Sequence, residues 1–224
     1  MNDRIARLRK QWSDPLLTGL TALLAIMLFV AAPLQASGII FFQAFELVFA
    51  SVLVAGAFVM SGSRIAVVAM LASLLVATIG AIFRIRSPSG LDINLFAGAW
   101  LVMGVTMGCV VSGAVFAPGR ITYHRIMGAV LLYLTIAVTF VPIFAFVGSM
   151  LPNAFSGLPM QDTPALASNL IYFSFVTLTT TGYGDVFPLH PIARSLCNLE
   201  AIIGQLYPAT LLARLVTLEM AHRG

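Results

Sequence analysis

Long apolar runs separated by short polar segments dominate the chain. Six runs approach or exceed the roughly 20 residues that a helix needs to cross the hydrocarbon core of a bilayer. They are Pro15–Ala32, Ile39–Met60, Ile65–Phe83, Leu95–Ala117, Ile126–Phe146 and Ile192–Met220. The pattern predicts an all-α membrane protein with six transmembrane helices, joined by short loops and with a longer loop before the last helix.

The first run has an alternative interpretation as a signal peptide. Pro33-Leu34-Gln35-Ala36 follows it and has the small residues of a cleavage site. The run is 18 residues long, however, and the apolar part of a signal peptide is usually about 7–15 residues. We therefore interpret it as the first transmembrane helix.

Composition supports this class. The chain has 60% hydrophobic and 9% charged residues and a mean hydropathy of +1.00, which excludes an ordinary soluble domain. With 224 residues, six helices leave no room for a separate soluble domain. The net charge of +4 does not indicate a nucleic-acid partner, because the charges lie at helix ends, and the lipid bilayer is the predicted surrounding. Cys109 and Cys197 lie in apolar runs and are expected to be small buried hydrophobes.

Basic residues orient the helices. An amino end inside the cell places nine of the twelve Lys and Arg residues on the cytoplasmic side; these are Arg4, Arg7, Arg9, Lys10, Arg64, Arg120, Arg125, Arg214 and Arg223, against Arg84, Arg86 and Arg194 outside. Residues 1–14 then form a cytoplasmic segment. Both termini are predicted to be cytoplasmic, in the cell membrane and specifically a bacterial inner membrane.

The polar segment Thr179–Asp185, with the sequence Thr-Thr-Thr-Gly-Tyr-Gly-Asp, interrupts the apolar region before the last helix. An ion that sheds its water needs a dense set of replacement oxygens, and a row of backbone carbonyls supplies them. Such a row requires positive φ at some positions, which Gly182 and Gly184 reach without a Cβ clash. A Gly-rich turn between two helices is the alternative. Upstream, Thr163-Pro164 predicts the start of a short helix that ends near Thr179, with its negative end toward the middle of the membrane.

From about Pro164 onward, the chain resembles the pore domain of tetrameric potassium channels, and the specific part of the resemblance is the Thr-Thr-Gly-Tyr-Gly-Asp motif. The resemblance implies a pore domain over 121–224, with an outer helix, a re-entrant pore helix at 164–179, an extended filter loop at 180–184 and an inner helix at 192–220. It also implies a set of K+ ligands, which are the carbonyl oxygens of Thr180, Thr181, Gly182, Tyr183 and Gly184 with the hydroxyl of Thr180. No cofactor other than the permeant K+ is expected.

The same resemblance assigns supporting roles. Tyr172 and Phe173 occupy the positions of an aromatic cuff around the filter tyrosine, and Thr179 and Asp185 flank the filter. Phe173 stands where an indole donor can occur, which leaves only Tyr172 to bond Asp185. Val176 stands where some relatives place a buried glutamate.

Two residues of the last helix are candidates for gating. Gly204 falls on the inner-helix glycine that often serves as a gating hinge. Pro208 removes a backbone hydrogen bond and favours a kink.

The region 15–120 resembles a voltage sensor only in its number of helices. Each charge that crosses the field contributes about 2.3 kcal/mol per 100 mV, so a sensor needs several arginines in its fourth helix. The run from Leu95 to Ala117 has no Arg or Lys, and steep voltage gating is not expected. Gly104 and Gly108 instead predict close helix packing. The last helix ends near Gly224, so gating by a ligand-binding domain within this chain is not expected either.

One filter segment supplies a quarter of a ring, and the sequence has no internal repeat, so a homotetramer is predicted. The predicted function is passive, selective K+ conduction. A potassium uptake transporter subunit and a non-conducting membrane assembly subunit are the alternatives. No metal, thiol or triad cluster indicates an enzyme.

Two membrane carboxylates remain ambiguous. Glu46 is either a proton- or voltage-responsive group or the partner of Arg84 or Arg86. Glu200 either bonds the back of the pore helix or faces the ion path.

Overall fold

The computed structural model describes residues 16–38, 50, 54, 56, 63–86, 90–116, 122–161 and 163–223. These residues form mainly helices, and two short strands lie close to Thr179–Asp185, which is called the filter segment below after its predicted role. In chain order the elements are α1 (Leu16–Ala36), α2 (Arg64–Arg86), α3 (Gly90–Val115), α4 (Tyr123–Met150), β1 (Phe155–Ser156), α5 (Pro164–Leu178), β2 (Phe187–Pro188) and α6 (Pro191–Arg223).

Three described helices are long and apolar enough to cross a membrane, namely α1, the Asn94–Val115 part of α3, and α4. The apolar part of α2 is shorter and covers Arg64–Gly80. Helix α6 is long but carries polar side chains such as Asn198, Glu200 and Gln205. The predicted second span, with Glu46, lies outside the described residues except at positions 50, 54 and 56. Six spans therefore remain a prediction, whereas a mostly helical structure with three helices that could span a membrane is confirmed for the described residues.

The helices differ slightly from the predicted bounds. Arg84–Arg86, predicted to be loop, form the end of α2, and α3 already begins at Gly90. Arginine and isoleucine both fit a helix interior. The prediction ended the helix too early because it relied on the polarity of these residues alone. In α1 a π-helical turn covers Met27–Ala31, just before Pro33, where the proline cannot donate to the regular hydrogen-bond ladder.

Helix α1 docks on the amino-terminal part of α4 through polar contacts. Thr18 Oγ1 lies 2.8 Å from His124 Nδ1. The Thr21 hydroxyl, which is buried, donates to the Met127 carbonyl oxygen at 2.9 Å. The Thr21 hydroxyl also lies 2.7 Å from the Leu17 carbonyl oxygen of its own helix, so the contact with Met127 adds a link between α1 and α4 to a group that is already paired.

Helix α3 packs closely along α4. A Cβ atom built on Gly104 would lie 2.7 Å from Thr139 Oγ1, and one on Gly108 would lie 4.0 Å from Thr135 Cγ2. The small residues of α3 thus allow the two backbones to approach. This agrees with the close packing expected for the arginine-free helix.

Helices α4, α5 and α6 pack on one another around an aromatic cluster. Phe144, Phe155 and Phe173 pack edge to face, with centroid separations of 5.0–5.8 Å. Farther along α6, the Tyr207 hydroxyl donates to the Ala129 carbonyl oxygen of α4 at 2.8 Å. The aromatic contacts hold the short helix α5 against α4, and the Tyr207 bond holds α6 against α4.

The carboxyl-terminal part of α6 contacts the end of α3. Arg214 Nη2 donates to the Phe116 carbonyl oxygen at 2.9 Å, and its guanidinium lies 4.8 Å from the centre of the Phe116 ring. A cation suits this position because the last carbonyls of a helix carry partial negative charge. The amino-terminal helices are therefore tied directly to α6.

Strands β1 and β2 pair antiparallel, with Phe155 opposite Pro188 and Ser156 opposite Phe187. Gly157, which follows Ser156 at the end of β1, has φ +75°, and a Cβ atom there would lie 2.1 Å from the Asp185 carbonyl oxygen. The loop before α5 therefore closes against the segment that follows the filter. Only glycine fits this approach.

Candidate functional site

Helix α5 leads directly into the filter segment. Thr163 takes the extended conformation of an N-cap residue and Pro164 occupies the first turn, although no side-chain cap bond forms. The helix ends at Leu178, one residue before the predicted Thr179, whose N–H bonds to the Phe175 carbonyl oxygen. The negative end of α5 thus lies at Thr179, where the filter begins.

The sign of the backbone angle φ alternates through the filter segment. Thr180, Gly182 and Gly184 have φ values of +57°, +54° and +83°, while Thr181 and Tyr183 between them are not in the positive region. Alternation of left- and right-handed residues places successive N–H groups on one side of the chain and therefore carbonyl groups on the other. A row of carbonyl oxygens is the arrangement that strips and coordinates a cation.

The N–H side of this segment turns back onto α5. Thr180 N donates to the Thr177 carbonyl oxygen at 2.9 Å, and the N atoms of Thr181 and Gly182 donate to that of Val176 at 2.9 and 3.3 Å. Within the described part of the chain, no hydrogen bond ends on the carbonyl oxygens of Thr180–Gly184. Those oxygens are left available to a ligand.

Threonine hydroxyls brace the inner end of the filter. Thr179 Oγ1 donates to the Phe175 carbonyl oxygen at 2.7 Å and lies 2.8 Å from Thr181 Oγ1. Thr180 Oγ1 accepts a bond from Gln205 Nε2 at 2.9 Å. Sequence reasoning missed the contact of Gln205 with Thr180, although an amide one residue after Gly204 in a predicted membrane span was a signal.

The two cuff residues have different surroundings. The ring of Tyr172 stacks on that of Tyr183 at 6.3 Å, and its hydroxyl donates to Asp185 Oδ2 at 2.9 Å. Phe173 is buried against Phe144 and Phe155 instead. Adjacent helical residues point about 100° apart, so only one of the two can face the filter.

The tyrosine–aspartate bond gives a measurable contribution to stability. We expect Tyr172→Phe to lower the temperature of thermal unfolding slightly, since one hydrogen bond at an exposed site is lost. Asp185→Asn should have a similar effect, and the double variant should lose little more. Thermal unfolding of the four proteins measures the coupling.

Tyr123→Phe is the control, because Tyr123 is 65% exposed at the start of α4. Fully additive losses from Tyr172→Phe and Asp185→Asn would contradict the coupling.

Glu200 is 0% exposed and lies behind α5. Ser174 Oγ lies 2.5 Å from Glu200 Oε1 and 2.8 Å from the Ala137 carbonyl oxygen. Glu200 Oε2 has no hydrogen-bond partner in the described structure. Of the two roles considered from the sequence, the geometry favours contact with the back of the pore helix, and this contact joins α4, α5 and α6.

Gly204 lies where α6 approaches the end of α5. A Cβ atom at this position would lie 1.9 Å from the Leu178 carbonyl oxygen and 2.8 Å from its carbon. Helix α6 continues through Pro208 without interruption. The hinge role of both residues stays a prediction. In addition, the close approach of the Leu178 carbonyl group leaves no space for a side chain at Gly204.

Comparison with known proteins adds to this geometry. Residues 129–220 match a family model described as an ion channel. The match begins within α4 and ends within α6, so it includes α5 and the filter. It supports an ion channel family, and together with the apolar helices it indicates a membrane-embedded, multi-pass protein with permeant ions.

The protein LctB of Bacillus caldotenax is 28% identical over 134 residues, which are 57% of this chain and 98% of that protein. The name LctB specifies no ion. No solved structure matches the chain.

Proposed function

We propose that the chain forms a potassium-selective channel that conducts K+ passively through a homotetrameric pore. The observation that carries the proposal is that no hydrogen bond among the described residues ends on the carbonyl oxygens of Thr180–Gly184, a segment in which the sign of φ alternates. Carbonyl rings of this kind replace the hydration shell of K+. The Thr180 hydroxyl adds an oxygen at the inner end.

Exposure of the filter supports assembly. Tyr183 is 72% exposed in the single chain although it stacks on Tyr172. Helix α6 also exposes Leu199, Ile202 and Leu206, which lie on one stripe of the helix. One chain contributes one strand of oxygens, and a closed ring around an ion requires further copies. Four copies place apolar and aromatic side chains against neighbours and direct the carbonyl oxygens to a common axis.

The proposed channel is not steeply gated by voltage. Helix α3 contains no Arg or Lys and packs closely on α4 through Gly104. A helix without positive charge gains little energy from the membrane potential. The proposed topology has six spans and both termini on the cytoplasmic side of the cell membrane.

Flux into liposomes tests the proposal. We expect purified protein to carry K+ down its gradient, Ba2+ to block the flux, and Na+ not to replace K+. Gly184→Ala should abolish K+ selectivity while leaving the fold intact, because a Cβ atom there meets nothing within 4 Å but φ is +83°.

Gly113→Ala is the matched control, since a Cβ atom on this α3 glycine also meets nothing within 4 Å. Equal Na+ and K+ flux would overturn the selectivity. An assembled protein that carries no ion would favour the non-conducting assembly subunit, and uphill K+ uptake would favour the transporter subunit.

A further inference from the structure

Thr180 holds an unfavourable backbone conformation at the inner end of the filter. Its φ is +57°, and among the described non-glycine residues only Asn153 shares the positive region. Threonine is β-branched, so the left-handed region crowds its side chain against the backbone. A residue in this state persists only when surrounding contacts hold it.

Two described bonds hold Thr180. Its N–H donates to the Thr177 carbonyl oxygen at 2.9 Å, and its Oγ1 accepts from Gln205 Nε2 at 2.9 Å. A hydroxyl oxygen has two lone pairs and one hydrogen. The hydrogen bond from the Gln205 amide occupies one lone pair of Thr180 Oγ1 and orients the other. This oxygen can therefore still act as a ligand.

Gln205 lies in a part of α6 that packs against α5. The preceding residue, Gly204, lies against the Leu178 carbonyl oxygen. One turn earlier, Glu200 contacts Ser174 of α5. The amide is therefore held at a set distance from the end of α5, although the side chain of Gln205 is itself exposed on the open side of the single chain.

We infer that Gln205 is a positioning residue for ion selectivity, which holds the Thr180 hydroxyl oxygen in the innermost K+ site. The inference rests on the proposed function and deepens it. Selectivity between K+ and Na+ depends on the size of the ligand cage and on the number of ligand oxygens. Without the amide, the hydroxyl of Thr180 rotates freely and the innermost cage adapts to a smaller ion.

Permeability measurements on the reconstituted full chain test this role. Gln205→Met removes the amide but keeps an unbranched side chain, and we expect the Na+/K+ permeability ratio to rise about three- to tenfold, the effect of one hydrogen bond. Block by Ba2+ should weaken as well. Gln205→Asn, whose amide is one methylene too short, should change both quantities in the same direction.

A double variant separates this role from general packing. Thr180→Ala should also raise the permeability ratio, and Thr180→Ala with Gln205→Met should add little beyond either change. Thr210→Val is the control, since among the described residues the Thr210 hydroxyl bonds to carbonyl oxygens of its own helix, those of Leu206 and Tyr207, and to no part of the filter segment.

Three results would overturn the inference. The first is an unchanged Na+/K+ permeability ratio in both Gln205 variants, provided that the unsubstituted protein conducts K+. Independent, multiplicative effects of Thr180→Ala and Gln205→Met would do so as well. Absence of K+ flux in the unsubstituted protein would overturn the proposed function and this inference together. That outcome is distinguishable, because it is seen before any variant is measured.

Discussion

Gly204→Ala is expected to reduce the stability of the protein and the yield of its assembled form. The added methyl group would lie 1.9 Å from the Leu178 carbonyl oxygen, and a backbone oxygen cannot rotate away as a side chain can. Overpacking typically costs about 1–3 kcal/mol, and we expect the upper end of that range. Thermal unfolding in detergent and size-exclusion chromatography of the extracted protein measure the two effects.

Gly113→Ala gives the matched comparison on another helix. A Cβ atom at Gly113 meets nothing within 4 Å, so alanine should be neutral or should stabilise by about 0.5–1 kcal/mol through its helix propensity. If Gly204→Ala unfolds at the wild-type temperature and alters only channel opening, Gly204 acts as a hinge without the packing requirement.

Glu200→Ala is expected to cost about 2–4 kcal/mol, because it leaves a cavity in a fully buried site and removes the contact with Ser174. Glu200→Gln should stay within about 1 kcal/mol of the wild type, since an amide has the same shape and can donate to Ser174 Oγ. The difference between the two variants in thermal unfolding is the measurement.

The expected tolerance of Glu200→Gln follows from a count of hydrogens. The Ser174 hydroxyl has one hydrogen, and the Ala137 carbonyl oxygen nearby can only accept. When that hydrogen bonds to Ala137, the contact with Glu200 requires the hydrogen of a carboxylic acid. A carboxylate here would also be buried with Oε2 unpaired, which is costly.

Infrared spectroscopy checks this protonation state. The absorption band of a protonated carboxyl group should be present in the wild type and absent from Glu200→Gln. Ser174→Ala should shift the band, because the hydrogen-bond partner is lost. If Glu200→Gln removes no such band, the carboxyl group is ionised and the tolerance of the amide needs another cause.

Much of the filter geometry could be predicted from local sequence. Gly182 and Gly184 have the positive φ values that the carbonyl row requires. The short helix begins at Pro164 and ends within one residue of its expected end, because proline and N-cap preferences act over a few neighbouring residues. Loop boundaries were less well predicted, since Arg84–Arg86 continue α2.

The sequence by itself indicated a mostly helical chain with apolar helices long enough to span a membrane, and the segment that we propose as the ion site, because apolar run length and glycine positions are local properties. The tertiary structure decided which side chains support that site. Gln205 contacts Thr180 and Glu200 contacts Ser174 only because α6 packs in one rotational setting against α5. That setting depends on the close approach at Gly204, a contact between residues distant in the chain that hydrophobic periodicity does not encode.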